Sequence, residues 1–347
     1  MSSKYQGLEL SYRLQLLPIC KDELLRSWFI RNALFLNMKP SQLSTIIFQN
    51  TDIWKSDIDT QLSKKNIESL LSTVKIKKED LDKTLISFNC DYFHPHLNDS
   101  KQIKWVLSIG VHQRGQKSSI QYCPVCISTD KTPYFRMYWR LGFLTVCNIH
   151  SVCFLDNCYK CGASIDLIRY EKNHNEHFQQ FDYLKCSQCY SDLRDAPKIK
   201  PCYYELKTNR EHFQLLTRGY GNIGNSNFNY SHIYFDGFKR IMSFILCSQN
   251  GFEMFKYIIR INNLDKKYIT DRVMIRKHSE PEHLSLGMRK VSMIFSCYIM
   301  RDWPISFIKI CKEFGITKRY MYSPHLSYPF WLNKVLDSEL APDKNIG

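Results

Sequence analysis

Apolar positions in the first hundred residues recur at helical spacing rather than alternating as in strands. An extended opening, residues 1–20, alternates through "LSYRLQLLPIC" and meets Pro18. The stretch "KDELLRSWFIRNALFLNM" then predicts a helix with Leu24, Leu25, Trp28, Phe29 and Leu36 on one face. Asp22 and Glu23 fall in its expected first turn, where the helix dipole favours acids, and Asn37 suits its end because asparagine tolerates the left-handed conformation. "KPSQLSTIIF" predicts a second short helix, capped by Ser41 and running through Ile47. Two short helices joined by a tight turn fit either a helix-turn-helix or a plain helical hairpin. Two more amphipathic helices, "KKNIESLLSTV" and "KKEDLDKTLISF", complete an N-terminal helical unit assigned to residues 1–110.

The pattern changes at residues 101–121, where Gly110, Gly115 and "QRGQKSS" read as a loop or strand edge. Cysteine pairs dominate a second unit, 111–200, and a third, 201–347, is helical again in "YFDGFKRIMSFILC", "GFEMFKYIIRI" and "SLGMRKVSMIFSCYI". Within the third unit "RGYGNIGNSNFNYS", residues 218–231, reads as a glycine- and asparagine-rich linker. Near the end a helix is expected from Ser306 to Phe314, with Gly315 at a turn and Thr317 capping a short helix that Pro324 cuts off. No internal repeat or low-complexity tract is visible. The expected fold class is mainly α and multi-domain, with a helix-turn-helix-like N-terminal domain, a tandem zinc-finger or ribbon segment and a C-terminal helical domain.

Composition supports a folded chain: of 347 residues, 44% are apolar and 14% aromatic. The start lacks a secretory signal pattern and no run approaches the roughly 18 apolar residues of a membrane span, so a cytoplasmic location without membrane association is expected. In a reducing compartment paired cysteines are more often metal ligands than disulfides. Cys20, Cys90, Cys153, Cys202, Cys247, Cys297 and Cys311 stand alone and read as small buried apolar residues. The formal charge of +15 favours polyanions such as nucleic acid, although the cations are spread without a dense block and equally fit a solvated basic surface.

Four ligand pairs, each separated by two residues, lie between 123 and 189: Cys123 and Cys126, Cys147 and His150, Cys158 and Cys161, Cys186 and Cys189. That spacing lets both side chains of one knuckle turn reach a single tetrahedral ion, and thiolate with imidazole suits two structural zinc ions. Sequential pairing, with loops of 20 and 24 residues, competes with a cross-braced arrangement. Between the first two pairs, Tyr134, Phe135, Tyr138, Trp139 and Phe143 are either base-stacking platforms beside Arg136 and Arg140 or the core of a small domain. Arg136, Arg140, Arg31 and Lys39 are the candidate nucleic-acid or partner contacts. Cys90, His94 and His96 form a loose cluster that reads as a polar loop or as a metal site, and His174 or His177 is a substitute ligand for the second ion.

No catalytic residue is assigned. "HNEHFQQFDYLKCSQC" has the flavour of a zinc deaminase, with Glu176 as proton shuttle and His174, Cys186 and Cys189 as ligands. Lys185 stands where that signature needs proline, and the spacing leaves no room for the intervening elements. Phosphate-loop and Gly-x-Ser-x-Gly motifs are missing as well, so a non-enzymatic protein is expected, with a zinc-dependent nucleic-acid enzyme as the alternative from another class.

"YCPVC", "PYFRMYWRLGFLTVCNIHSVCFLDNCYKCGASI" and the N-terminal "DELLRSWFIRNALFLNMKPSQL" together resemble the TniQ/TnsD family of transposition target-selection proteins, and "RDWPISF" is similar to a turn ahead of that family's C-terminal helices. The resemblance covers residues 10–195 well and the rest loosely. It implies an N-terminal helix-turn-helix, tandem zinc fingers and a DNA-binding, non-catalytic role. It further implies an adaptor that links a targeting module, such as a CRISPR-Cascade-type RNA-guided complex, to the AAA+ ATPase regulator of the transposase. Some members act as head-to-tail dimers. Cys153 replaces the family's usual leucine, and the compact length favours an adaptor over a longer, direct sequence-specific reader of DNA, which stays as the alternative.

Overall fold

The computed structural model describes residues 13–49, 52–94, 103–107, 120–165, 167, 182–264, 281–324 and 327–341. The chain is mainly helical and divides into two compact units. One comprises residues 1–88, 134–137 and 167–183; the other comprises 89–133, 138–166 and 184–347. All four metal-ligand pairs lie in the second of these units.

In the first unit, α1 (Leu25–Phe35), α2 (Pro40–Phe48), α3 (Lys64–Thr73) and α4 (Lys78–Asp82) surround a core that includes Trp28, Phe29, Leu43, Ile47, Leu70 and Val74. The turn between α1 and α2 uses Asn37 at φ 53°, the left-handed residue expected there. The helix starts differ from expectation. Asp22 has φ 57° and Glu23 precedes α1, so neither acid occupies its first turn. Glu23 is instead fully buried, accepting two 2.7 Å bonds from Arg31 and one of 3.0 Å from Ser27. A buried carboxylate gains more from that bidentate partner than from a helix end, because unpaired it would carry the full desolvation cost. Pro40 opens α2 with Lys39 at the cap, two residues before Ser41, since proline's fixed φ and missing N–H suit a first helical position.

Residues 134–137 complete this unit: Phe135 donates its N–H to Ser27 Oγ (2.9 Å), and its carbonyl accepts from Leu24 (3.0 Å). Phe135 is wholly buried.

The second unit contains α5 (Pro124–Thr129), α6 (Tyr203–Arg218), α7 (Ser231–Cys247), α8 (Gln249–Ile261), α9 (Leu286–Met300), α10 (Ile305–Glu313), α11 (Lys318–Met321) and α12 (Phe330–Ser338). The stretch read as a linker is an antiparallel hairpin, β1 (Gly221–Ile223) with β2 (Ser226–Phe228), Gly221 opposite Phe228. Its tight turn starts at Gly224, φ 58°, where a Cβ would lie 1.7 Å from the Met300 carbonyl oxygen. Gly315, φ 60°, follows α10, and Thr317 caps the four-residue α11, as the sequence indicates.

Aromatic packing dominates the interior of this unit. Phe143 stacks on Phe235 at 4.3 Å, and Trp105 stacks on Phe238 at 5.4 Å. Lys239 and Glu282 form a buried ion pair at 2.8 Å. No helix among the described residues is long and apolar enough to cross a membrane.

Candidate metal centres

Three of the four ligand pairs sit on one recurring turn. In Cys147–His150, Cys158–Cys161 and Cys186–Cys189, the residue after the second ligand donates its N–H to the first ligand's carbonyl: Ser151 to Cys147 (2.9 Å), Gly162 to Cys158 (2.9 Å) and Tyr190 to Cys186 (3.0 Å). That residue is left-handed each time, with φ of 54°, 72° and 58°. The first ligand's N–H returns to the carbonyl five residues on, at Val152, Ala163 and Ser191. Single antiparallel bridges close each copy in the same register, Val146 to Cys153, Asn157 to Ser164 and Lys185 to Asp192. The segment thus carries a threefold structural repeat that no residue pattern apart from the pair spacing announces. The remaining pair differs: Cys123 caps α5, Pro124 occupies its first position, and Cys126 donates its N–H to Cys123 Sγ at 3.4 Å.

These turns gather two donor sets in sequential order, Cys123, Cys126, Cys147 and His150 in one, Cys158, Cys161, Cys186 and Cys189 in the other. Within each, all ligand atoms lie within 4.8 Å of one another. Metal–sulfur bonds of about 2.3 Å around a tetrahedral ion place neighbouring sulfurs about 3.8 Å apart. The observed separations match: Cys126 to Cys147 3.7 Å, Cys158 to Cys189 3.7 Å, Cys161 to Cys186 3.6 Å. His150 presents Nδ1 at 3.2 Å from Cys126 and 3.7 Å from Cys147. Both sets therefore fit a four-coordinate metal ion with no vacant protein position.

Proton sharing prepares the thiols for a cation. Hydrogen bonds from Cys123 and Cys126 pull the Cys147 thiol down, and the Cys123 contact pushes Cys126 up. The Ser191 hydroxyl, 3.0 Å from Cys189 Sγ and 3.1 Å from Cys158 Sγ, draws Cys189 down to about 6. The two sites differ in shelter. In the first set the three cysteines are buried, whereas in the second Cys161 is exposed and Cys189 half-buried.

The sites are held by groups outside the ligand pairs. Asn209 on α6 accepts N–H bonds from Thr145 (3.0 Å) and Val146 (3.1 Å) and donates to the Val146 carbonyl (2.9 Å), fixing the strand that enters Cys147. His212, one turn on, faces the Phe143 carbonyl at 3.2 Å and Tyr234 Oη at 2.8 Å. Burial holds its imidazole down to about 4. Tyr122 and Leu155 exchange two backbone bonds of 2.8 and 3.0 Å, joining the lead-in to Cys123 with the segment before Cys158. Neither Asn209 nor Ser191 was identified from sequence. An asparagine inside a helix, where it is a poor helix former, was the available signal for the first.

Three of the four expected contact cations are turned inward. Arg140 is wholly buried, with Nε and Nη2 donating to the Leu107 carbonyl at 3.2 and 2.6 Å. Arg136 is buried, its guanidinium 4.3 Å from the Tyr134 ring, and Arg31 grips Glu23. A guanidinium enclosed in this way offers nothing to a phosphate, which corrects the expectation for these three; Lys39 remains half-exposed ahead of α2. Phe135, Trp139 and Phe143 are likewise buried, so they serve as core rather than as stacking platforms. Cys90 donates its thiol to the His94 carbonyl at 3.6 Å, and both residues lie inside the fold. His96, His174, Glu176 and His177 fall outside the described residues. Cys186 and Cys189, assigned to a deaminase-like set in the enzymatic alternative, are engaged in a complete four-sulfur group.

Comparison with curated proteins gives no match. The TniQ family model matches residues 15–153, which run from the segment ahead of α1 through the first Cys/His group. Over residues 15–153, which take in α1 to α4 and the first Cys/His group, the chain is similar to the TniQ family.

Proposed function

We propose that the protein is a target-selection adaptor in DNA transposition, joining a targeting module to the AAA+ ATPase regulator of the transposase. The TniQ match carries this reading, because that family's proteins regulate and target rather than catalyse. A CRISPR-type RNA-guided complex is the targeting module proposed here, with α1 and α2 as the helix-turn-helix-like gripping element and Lys39 at its edge. A second copy of the chain is a further candidate partner. Both donor sets hold zinc in a structural role: three thiolates with an imidazole, and four thiolates, are closed zinc sites, and neither leaves a coordination position for substrate.

In this reading DNA is touched through its phosphates, with the choice of site left to the partner. The test is binding of the zinc-loaded chain to random duplex and to tiled duplex from its native insertion locus, at about 50 and 200 mM salt, since phosphate contacts weaken steeply over that interval. Uniform binding that fades at the higher salt is expected. A locus-specific complex that persists would replace the adaptor with a direct DNA reader.

A further inference from the structure

With three of the expected arginines buried, the basic surface lies elsewhere. Lys198 and Lys200 are exposed on an extended segment that runs beside the first metal site, where the Ile199 carbonyl accepts from Cys153 N–H at 2.8 Å. The chain passes from there into α6, whose outward side carries Tyr203, Arg210 and Arg218, all exposed, with Lys207 half-exposed between them. Positions 203, 207, 210, 214 and 218 recur at three- and four-residue steps, so they form one stripe along the 16-residue helix. A shallow cleft follows this stripe, walled by Lys207 and Arg210.

Both acids of α6 are engaged by backbone N–H groups. Glu205 is buried and turned to the Cys202 N–H (3.1 Å). Glu211, which lines the cleft, accepts from the Gly224 N–H at 3.3 Å, and burial pushes its carboxyl pKa up. Some lysines elsewhere are matched by carboxylates, as in Lys83–Asp80, Lys256–Glu253 and Lys104–Asp236. Among the described residues none of Lys198, Lys200, Lys207, Arg210 and Arg218 forms such an ion pair, although Lys207 interacts electrostatically with Glu211. Three cations and an exposed tyrosine on a helix that itself holds the Thr145–Val146 segment, with Lys198 and Lys200 on the stretch leading into it, form a surface complementary to a polyanion.

We propose that the 198–200 segment and the outer stripe of α6 form the surface on which duplex DNA phosphates dock. This rests on the DNA-contacting part of the proposed function and adds its location. Rise along α6 is about 1.5 Å per residue, so Lys207 to Arg218 spans about 16 Å, enough to follow several phosphates along one strand.

The test is fluorescence anisotropy of the zinc-loaded full chain on a random duplex across about 50–200 mM salt. It compares wild type with Lys207→Gln/Arg210→Gln, Lys198→Gln/Lys200→Gln and a charge-matched pair on the exposed side of α10, Lys309→Gln/Lys312→Gln. Metal content and far-ultraviolet circular dichroism establish that each variant is folded. Removing two phosphate contacts lowers the log–log salt slope by about 2 and weakens binding about tenfold, whereas the α10 pair stays within about twofold of wild type. Equal losses in the α6 and α10 pairs would mean diffuse attraction to net charge and overturn the surface. No wild-type binding at the lower salt would overturn it together with DNA contact itself. Locus-specific wild-type binding that the α6 variants still weaken would support the surface while removing the adaptor reading.

Discussion

His212 shows how one side chain couples the metal centre to the helical body. Its Nδ1 faces the Phe143 carbonyl, so that nitrogen carries the proton, and Nε2 accepts from Tyr234, whose oxygen lies 3.3 Å from Ser296 Oγ. Buried and neutral, it has a folded-state pKa of about 4 against about 6.5 in the open chain. The unfolded state therefore binds more protons between those values, and stability falls as pH drops from about 6.5 towards 4, by at most about 3 kcal/mol. Urea unfolding at several pH values should show His212→Gln less stable at pH 7, through the lost bonds, but flatter across that window. An unchanged slope relative to wild type would place the pH dependence elsewhere. At this scale the eight ligands were legible, because two-residue spacing is a local constraint written directly in the chain. The burial of Arg136 and Arg140 was not, since an arginine reads the same whether it reaches a phosphate or caps the Leu107 carbonyl.

Among the elements, the knuckle turn repeats because its geometry needs only a left-handed residue after the second ligand. Gly162 supplies it without strain, and a Cβ there would meet nothing within 4 Å. Gly162→Ala should therefore cost about 1 kcal/mol, the conformational cost alone. Gly224→Ala adds a backbone collision with Met300 to the same φ penalty and should cost several times more in urea titration of the zinc-loaded protein. Similar losses in both would remove the steric distinction. The unequal shelter of the donor sets gives a second expectation for these elements. A chelator should withdraw one equivalent of metal first, from the set with exposed Cys161, and Cys161→Ser should abolish that fast phase while leaving the slow one. Helix existence was legible here from apolar spacing, and the starts were not. Proline at position 40 and the buried Glu23–Arg31 pair moved them, one through backbone geometry and the other through a tertiary contact eight residues away. The β1–β2 hairpin was misread because glycine and asparagine serve linkers and tight turns alike; the two-residue step at Gly224 was its signal.

For the whole molecule, ligand spacing marked where the metals bind but not what the metal segment packs with. Asn209, His212 and Thr208 on α6 reach residues 143–146 and Met293, contacts separated in sequence by 63 to 85 residues and invisible to any local pattern. Metal removal should therefore propagate beyond the knuckles. Structural ions contribute on the order of 10 kcal/mol of apparent binding energy in small zinc modules, comparable with the full stability of a domain. After chelation, amide hydrogen exchange should rise through residues 120–133, 138–165 and 184–200 and along α6 around Asn209. The amides of Leu43 and Leu70 belong to a core with no metal ligand and should stay protected. The N–H groups of Leu24 and Phe135 are the diagnostic ones: each is bonded inside the first unit, yet Phe135 lies in sequence between Cys126 and Cys147. If the 134–137 segment is anchored by its burial against α1, both amides remain protected when the flanking knuckles open. If the metals anchor it, both exchange with the knuckles. Complete burial of Phe135 and its pair of backbone bonds favour retention, and loss of protection at Leu24 on chelation would instead make the metals a prop for the N-terminal unit as well.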